Sequence, residues 1–96
     1  MFAQTSKTKP HPDVVDTTLP TGEVVLLQLG TKTYYSLNET GSHIWKLLHD
    51  DITLGQISER LESSYEITPE NAWQSVSELV EELAAATLVL SAPEVS

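Results

Sequence analysis

The chain has 96 residues with 14 acidic against 5 basic, a formal net charge of −9 and no cysteine. A chain this short builds one domain around a thin core, with no room for a cleft between two lobes. The missing cysteines exclude disulfides, thiolate metal sites and cysteine nucleophiles. The excess of acid disfavours nucleic acid and anionic membranes, both of which are bound through Lys and Arg. No apolar run is long enough for a signal or a membrane span, so a cytoplasmic protein is expected.

Residues 1–12 are polar, with Pro10 and Pro12 near their end, and read as a flexible arm. The folded part should run over residues 13–90, with residues 91–96 as a flexible tail. Val14 to Thr18 is short and β-branched. Pro20-Thr21-Gly22 is turn chemistry, and Glu23 to Leu29 follows as a second strand, apolar on both faces for most of its length. Gly30-Thr31 marks a hairpin into a third strand, Lys32 to Leu37. The three make an antiparallel meander with the third strand at an edge.

Three helices follow. Asn38 caps the first, whose Ile44, Trp45, Leu47 and Leu48 have helical spacing. Thr53 and Gln56 form a capping box for the second, with Leu54, Ile57, Leu61 and Tyr65 in one stripe. Thr68-Pro69-Glu70 opens the third, which should reach Ala86. Thr87 to Leu90 turns β-branched and apolar, as a short extended end. Strands first and helices after predict the α+β class.

On the third helix, at about 100° per residue, Ala72, Val76, Leu79 and Leu83 fall within about 60° and read as core. Trp73, Val80 and Ala84 lie about 80–120° from Ala72, on one flank, and Glu78, Glu81 and Glu82 lie on the far side. Trp73 and Val80 could complete the core, and Trp45 fits core better than site. One of Tyr34 and Tyr35 must face inward. The acid run reads as a solvated face, and Lys32 could simply protect the edge.

The stretch Tyr34-Tyr35-Ser36-Leu37-Asn38-Glu39-Thr40-Gly41-Ser42-His43-Ile44-Trp45-Lys46-Leu47-Leu48 resembles the PqqD-like RiPP recognition elements. Thr53-Leu54-Gly55-Gln56-Ile57 and Tyr65-Glu66-Ile67-Thr68-Pro69-Glu70 resemble that family's later helix starts, at the right spacing. The match spans residues 14–90. The resemblance implies a winged-helix-like, non-catalytic module that binds the leader of a ribosomally made precursor peptide. It is most similar to the freestanding leader-binding proteins of lasso-peptide systems, which work beside a leader peptidase and a macrocycle-forming enzyme. Members from quinone-cofactor biosynthesis are the alternative within the family.

The family's leader adds as a strand beside the third strand and lies against the third helix. Edge strands carry unpaired backbone groups that a partner peptide can take up. The expected peptide-binding residues are therefore Thr31, Lys32, Thr33, Tyr34, Tyr35 and Ser36, facing Trp73, Val76, Val80 and Ala84. No catalytic residue, metal or cofactor is expected. His43 and His49 are six apart rather than at ligand spacing, His11 lies in the arm, and no phosphate loop or nucleophile elbow is present. A winged-helix DNA-binding regulator is the competing class, and the absence of Lys and Arg from the third helix opposes it.

Overall fold

The computed structural model describes residues 4–91. In chain order these form β1 (Thr8–Pro10), β2 (Val14–Thr18), β3 (Val24–Gln28), β4 (Thr33–Leu37), α1 (Glu39–Leu48), α2 (Leu54–Tyr65), α3 (Pro69–Ala85) and β5 (Val89–Ser91). The class is α+β, with a three-stranded antiparallel sheet in the order β2-β3-β4 against three helices. Among the described residues no helix is long and apolar enough to cross a membrane.

Local chemistry starts and stops these elements. The β2–β3 turn closes with Gly22 N–H donating to the Leu19 carbonyl, and Gly22 takes φ +92°, which glycine adopts without strain. The β3–β4 connection is a four-residue loop, Leu29 to Lys32, in which Lys32 carries the positive φ of 61°. Asn38 Oδ1 caps α1 at 2.8 Å from Gly41 N. Thr53 and Gln56 form a reciprocal capping box on α2, and Thr68 caps α3 with Pro69 in its first turn.

Strand alternation then selects the core. Val24, Leu26 and Gln28 point inward from β3, while Val25 and Leu27 are half-exposed on the outer face. The inward side chains meet Leu37, Ile44, Trp45 and Leu48, then Leu54, Ile57 and Leu61 of α2, and Ala72, Val76, Val80 and Leu83 of α3. Two buried polar side chains, Ser42 and Gln28, find partners where the ladder ends. Ser42 Oγ accepts from Val24 N at 3.1 Å and donates to the Leu37 carbonyl at 3.4 Å. It thereby bridges the rung where β3 and β4 part. Gln28 is 2% exposed; its Nε2 donates to the Thr87 carbonyl at 2.7 Å and its Oε1 accepts from Gly30 N at 2.8 Å.

The expected flexible arm is corrected over residues 4–12. Gly55 N donates to the Gln4 carbonyl at 2.8 Å and Leu54 N to the Ser6 carbonyl at 2.9 Å. Those are N–H groups of the first turn of α2, which no helix can satisfy internally. A Cβ on Gly55 would stand 3.0 Å from the Gln4 carbonyl oxygen, so glycine permits this approach. β1 then pairs antiparallel with β5, Thr8 opposite Ser91, Lys9 opposite Leu90 and Pro10 opposite Val89. His11 N continues the contact to the Leu88 carbonyl. A three-residue Thr-Lys-Pro strand has no hydrophobic alternation to announce it; long-range pairing alone makes it. Of the expected arm and tail, residues 1–3 and 92–96 lie outside the described residues.

Candidate functional site

Hydrogen bonds at the two ends of β2 fix the phase of the whole sheet. Leu29 N donates to the Asp13 carbonyl and Leu19 N to the Glu23 carbonyl. Antiparallel bonding alternates along a strand, so Val25 and Leu27 turn their backbone groups toward β2, and Val24, Leu26 and Gln28 turn theirs toward β4. On β4, Thr33, Tyr35 and Leu37 therefore face β3, and the N–H and C=O of Tyr34 and Ser36 face outward. Among the described residues no strand pairs with that margin. Thr31 and Lys32, expected within the edge strand, lie in the exposed loop before it.

The side chains divide by face. Tyr34 is 70% exposed on the outer face, in register with Leu27 and Val15. Tyr35 is half-buried on the inner face and packs against the core. Its hydroxyl donates to the Glu82 carboxylate, which ties β4 to α3. That bond, then partial burial, then the Glu82 charge push the Tyr35 phenol up to about 12, so it stays protonated and keeps donating.

Beside this tie a shallow groove of about 290 Å³ opens between the start of α1 and α3. Asn38, Thr40, Gly41 and Ile44 form one wall; Ser75, Glu78, Leu79 and Glu82 form the other. Its apolar part is Ile44 and Leu79, and its charge is two carboxylates. Glu78 Oε1 accepts from Gln74 Nε2 at 3.1 Å. Among the described residues no Lys, Arg or His pairs with Glu78 or Glu82, whereas Asp16, Asp50 and Asp51 each have a basic neighbour within 4.0 Å.

The expected α3 face is corrected by about half a helix quadrant. Val76 and Val80 are fully buried and Leu79 is not. Trp73 and Ala84 are half-buried against the core. Trp73 and Glu82 are nine positions apart, about 900°, which puts them on opposite sides of the helix. The flank toward β4 is thus Ser75, Glu78, Leu79 and Glu82, and not the expected Trp73, Val76, Val80 and Ala84. The helical pattern puts Leu79 in the core and Val80 on the flank; the structure seals Val80 and leaves Leu79 half-buried, packed against the core on one side and lining the groove on the other. The available signal was Leu79 itself, which stands four residues after Ser75 and three before Glu82 on the border between the apolar and acidic faces.

Other polar clusters belong to the scaffold. Trp45 is 2% exposed, and its Nε1 donates to Asp16 Oδ2 at 2.8 Å, anchoring α1 to β2. His49 packs edge-on against Trp45, and His43 meets Tyr65 at a tilt of 57°. Among the described residues no group of three His, Asp or Glu side chains is placed to hold a metal.

Two solved structures share this architecture. TbiB1 in complex with the TbiA(beta) leader peptide is 28% identical, with a TM-score of 0.81 over 90% of this chain and 99% of that one. A lasso peptide synthetase B1 complexed with the leader peptide is 25% identical, with a TM-score of 0.79 over 88% and 98%. No curated protein sequence matches the chain. The family described as coenzyme PQQ synthesis protein D (PqqD) matches residues 23–89, from the start of β3 into β5. With that match covering most of its length, the chain belongs to the PqqD family and is a PqqD-like recognition element.

Proposed function

We propose that this protein binds the leader segment of a ribosomally made precursor, of the lasso-peptide class, as an added strand on β4. It then presents the precursor to a leader peptidase and a macrocycle-forming enzyme, and does no chemistry itself. The observation that carries this is the open margin of β4 at Tyr34 and Ser36, set beside the groove against α3. Backbone bonds to that margin supply affinity with little demand on sequence, and the groove supplies selection. Capture raises the local concentration of substrate at the partner enzymes. The structural relatives support the reading, since both are complexes with leader peptides.

The test is calorimetry with the leader of the precursor peptide encoded beside this chain, joined to amide hydrogen exchange. Binding should newly protect the amides of Tyr34 and Ser36, while Tyr35, already paired to β3, changes little. Binding without that pattern rejects strand addition, and an absence of binding rejects the function. The family's description favours a second reading, service in coenzyme PQQ synthesis. It uses the same margin, and competition between lasso and PQQ precursor peptides separates the two. A DNA-binding role is opposed by α3, which carries five glutamate or glutamine side chains and no Lys or Arg.

A further inference from the structure

Resting on that leader-binding reading, we propose that the groove is charge-selective. It takes leaders in which a Lys or Arg stands two positions from an apolar residue, both side chains directed toward α3. A strand added to β4 sends every second side chain to the inner face, at a repeat of about 6.7 Å. Along α3, Glu78 and Glu82 are separated by about 6.0 Å, with Leu79 one residue from the first. Leu79, over the buried Ile44, can take one inward side chain of the leader, and a long Lys or Arg side chain at the next inward position is within reach of the carboxylates on either side of Leu79.

Three features make a cation the fitting occupant. First, Glu78 and Glu82 have no basic partner among the described residues, unlike Asp16, Asp50 and Asp51. Second, Glu82 lies in the last turn of α3, which holds no basic residue. The helix dipole is negative there, so a carboxylate is locally unfavourable and an added cation is welcome. Third, Tyr35 orients Glu82 from β4 with one hydrogen bond. A carboxylate has about four acceptor positions, so capacity for a leader cation remains. The net charge of −9 adds a longer-range attraction of the same sign.

The experiment uses fluorescein-labelled synthetic peptides of the neighbouring precursor's leader, each with one residue replaced in turn by Lys, Ala and Glu. Fluorescence anisotropy measures their affinity for the full chain and for Glu78→Lys and Glu78→Gln, both checked for folding by circular dichroism. At one position, two residues from an apolar one, affinity should fall in the order Lys, Ala, Glu. Exposed pairs of this kind give about a 2- to 5-fold step from Lys to Ala. The order should invert for Glu78→Lys, flatten for Glu78→Gln, and weaken as salt rises. If every position is flat, or the order is the same in Glu78→Lys, charge selection is wrong while leader binding stands. If no peptide of the set binds the wild-type chain, the leader-binding reading fails and this inference falls with it.

Discussion

Replacing Ser36 by proline removes one N–H from the open margin of β4 and none from its ladder to β3. The bonding phase set by Leu29 and Leu19 turns the Ser36 amide outward, and its side chain is exposed on the outer face. Proline is tolerated on an edge strand at such a position; it asks that Tyr35 stay extended, as it already is within β4, and that residue 36 itself take φ near about −65°, which an edge strand can accommodate. Folding stability should therefore change little. Leader binding should not be so tolerant. One backbone hydrogen bond is lost, worth about 0.5–1.5 kcal/mol, and the leader carbonyl that would have accepted it is left buried, for a total of roughly 1–3 kcal/mol. That is about a 5- to 150-fold weaker Kd. The matched control is Thr18→Pro, whose amide faces outward from β2 on the opposite edge of the sheet. Calorimetry should find it close to wild type. A folded Ser36→Pro protein with unchanged affinity would refute strand addition to β4.

Two further outcomes follow from contacts within the chain. Because its folded pKa is raised from 10 to about 12, Tyr35 adds stability that is present below pH 10 and is lost as pH rises through 12. Phenolate absorbance should show a late transition from Tyr35, and Glu82→Gln should move it back toward 10. Deleting residues 1–7 strips the carbonyl acceptors from Leu54 and Gly55 at the start of α2. At about 0.5–1.5 kcal/mol for each bond, urea unfolding should register a loss of roughly 1–3 kcal/mol, where a merely flexible arm would cost nothing.

What could be read from the sequence was what local chemistry decides. Asn38, Thr53 with Gln56, and Thr68 with Pro69 start helices through bonds made within four residues, and each starts its helix where expected. The meander was legible from its turns and β-branched runs. β1 was not, because Thr8-Lys9-Pro10 becomes a strand only when the end of the chain returns to pair with it. The buried Gln28 was invisible for a related reason: its partners include the Thr87 carbonyl, 59 residues away. The loop before β4 was misjudged because Gly30 suggested the tight turn, whereas Lys32 carries the left-handed conformation. At the candidate site, the edge strand was legible and the facing wall was not. Leu79 and Val80 are adjacent and equally apolar, and only the packing of α3 against α2 and β5 decides which of them is sealed.

That inversion makes opposite demands on two substitutions. Leu79 lines the groove, so Leu79→Ala should weaken leader binding by roughly 1–3 kcal/mol, the loss of an anchor contact, measured on the folded fraction because Leu79 also packs against the core. Trp73 lies on the far side of α3 from Glu82 and packs against the core. Trp73→Ala should therefore lower stability, by less than the roughly 3–5 kcal/mol of a fully buried tryptophan, because the ring is only half-buried. Its leader affinity, measured on the folded fraction, should match wild type. The pair separates two geometries that the helical pattern alone leaves equivalent. If Trp73→Ala instead weakens binding and Leu79→Ala does not, the leader lies on the opposite flank of α3, and neither Glu78 nor Glu82 can be reading its charge.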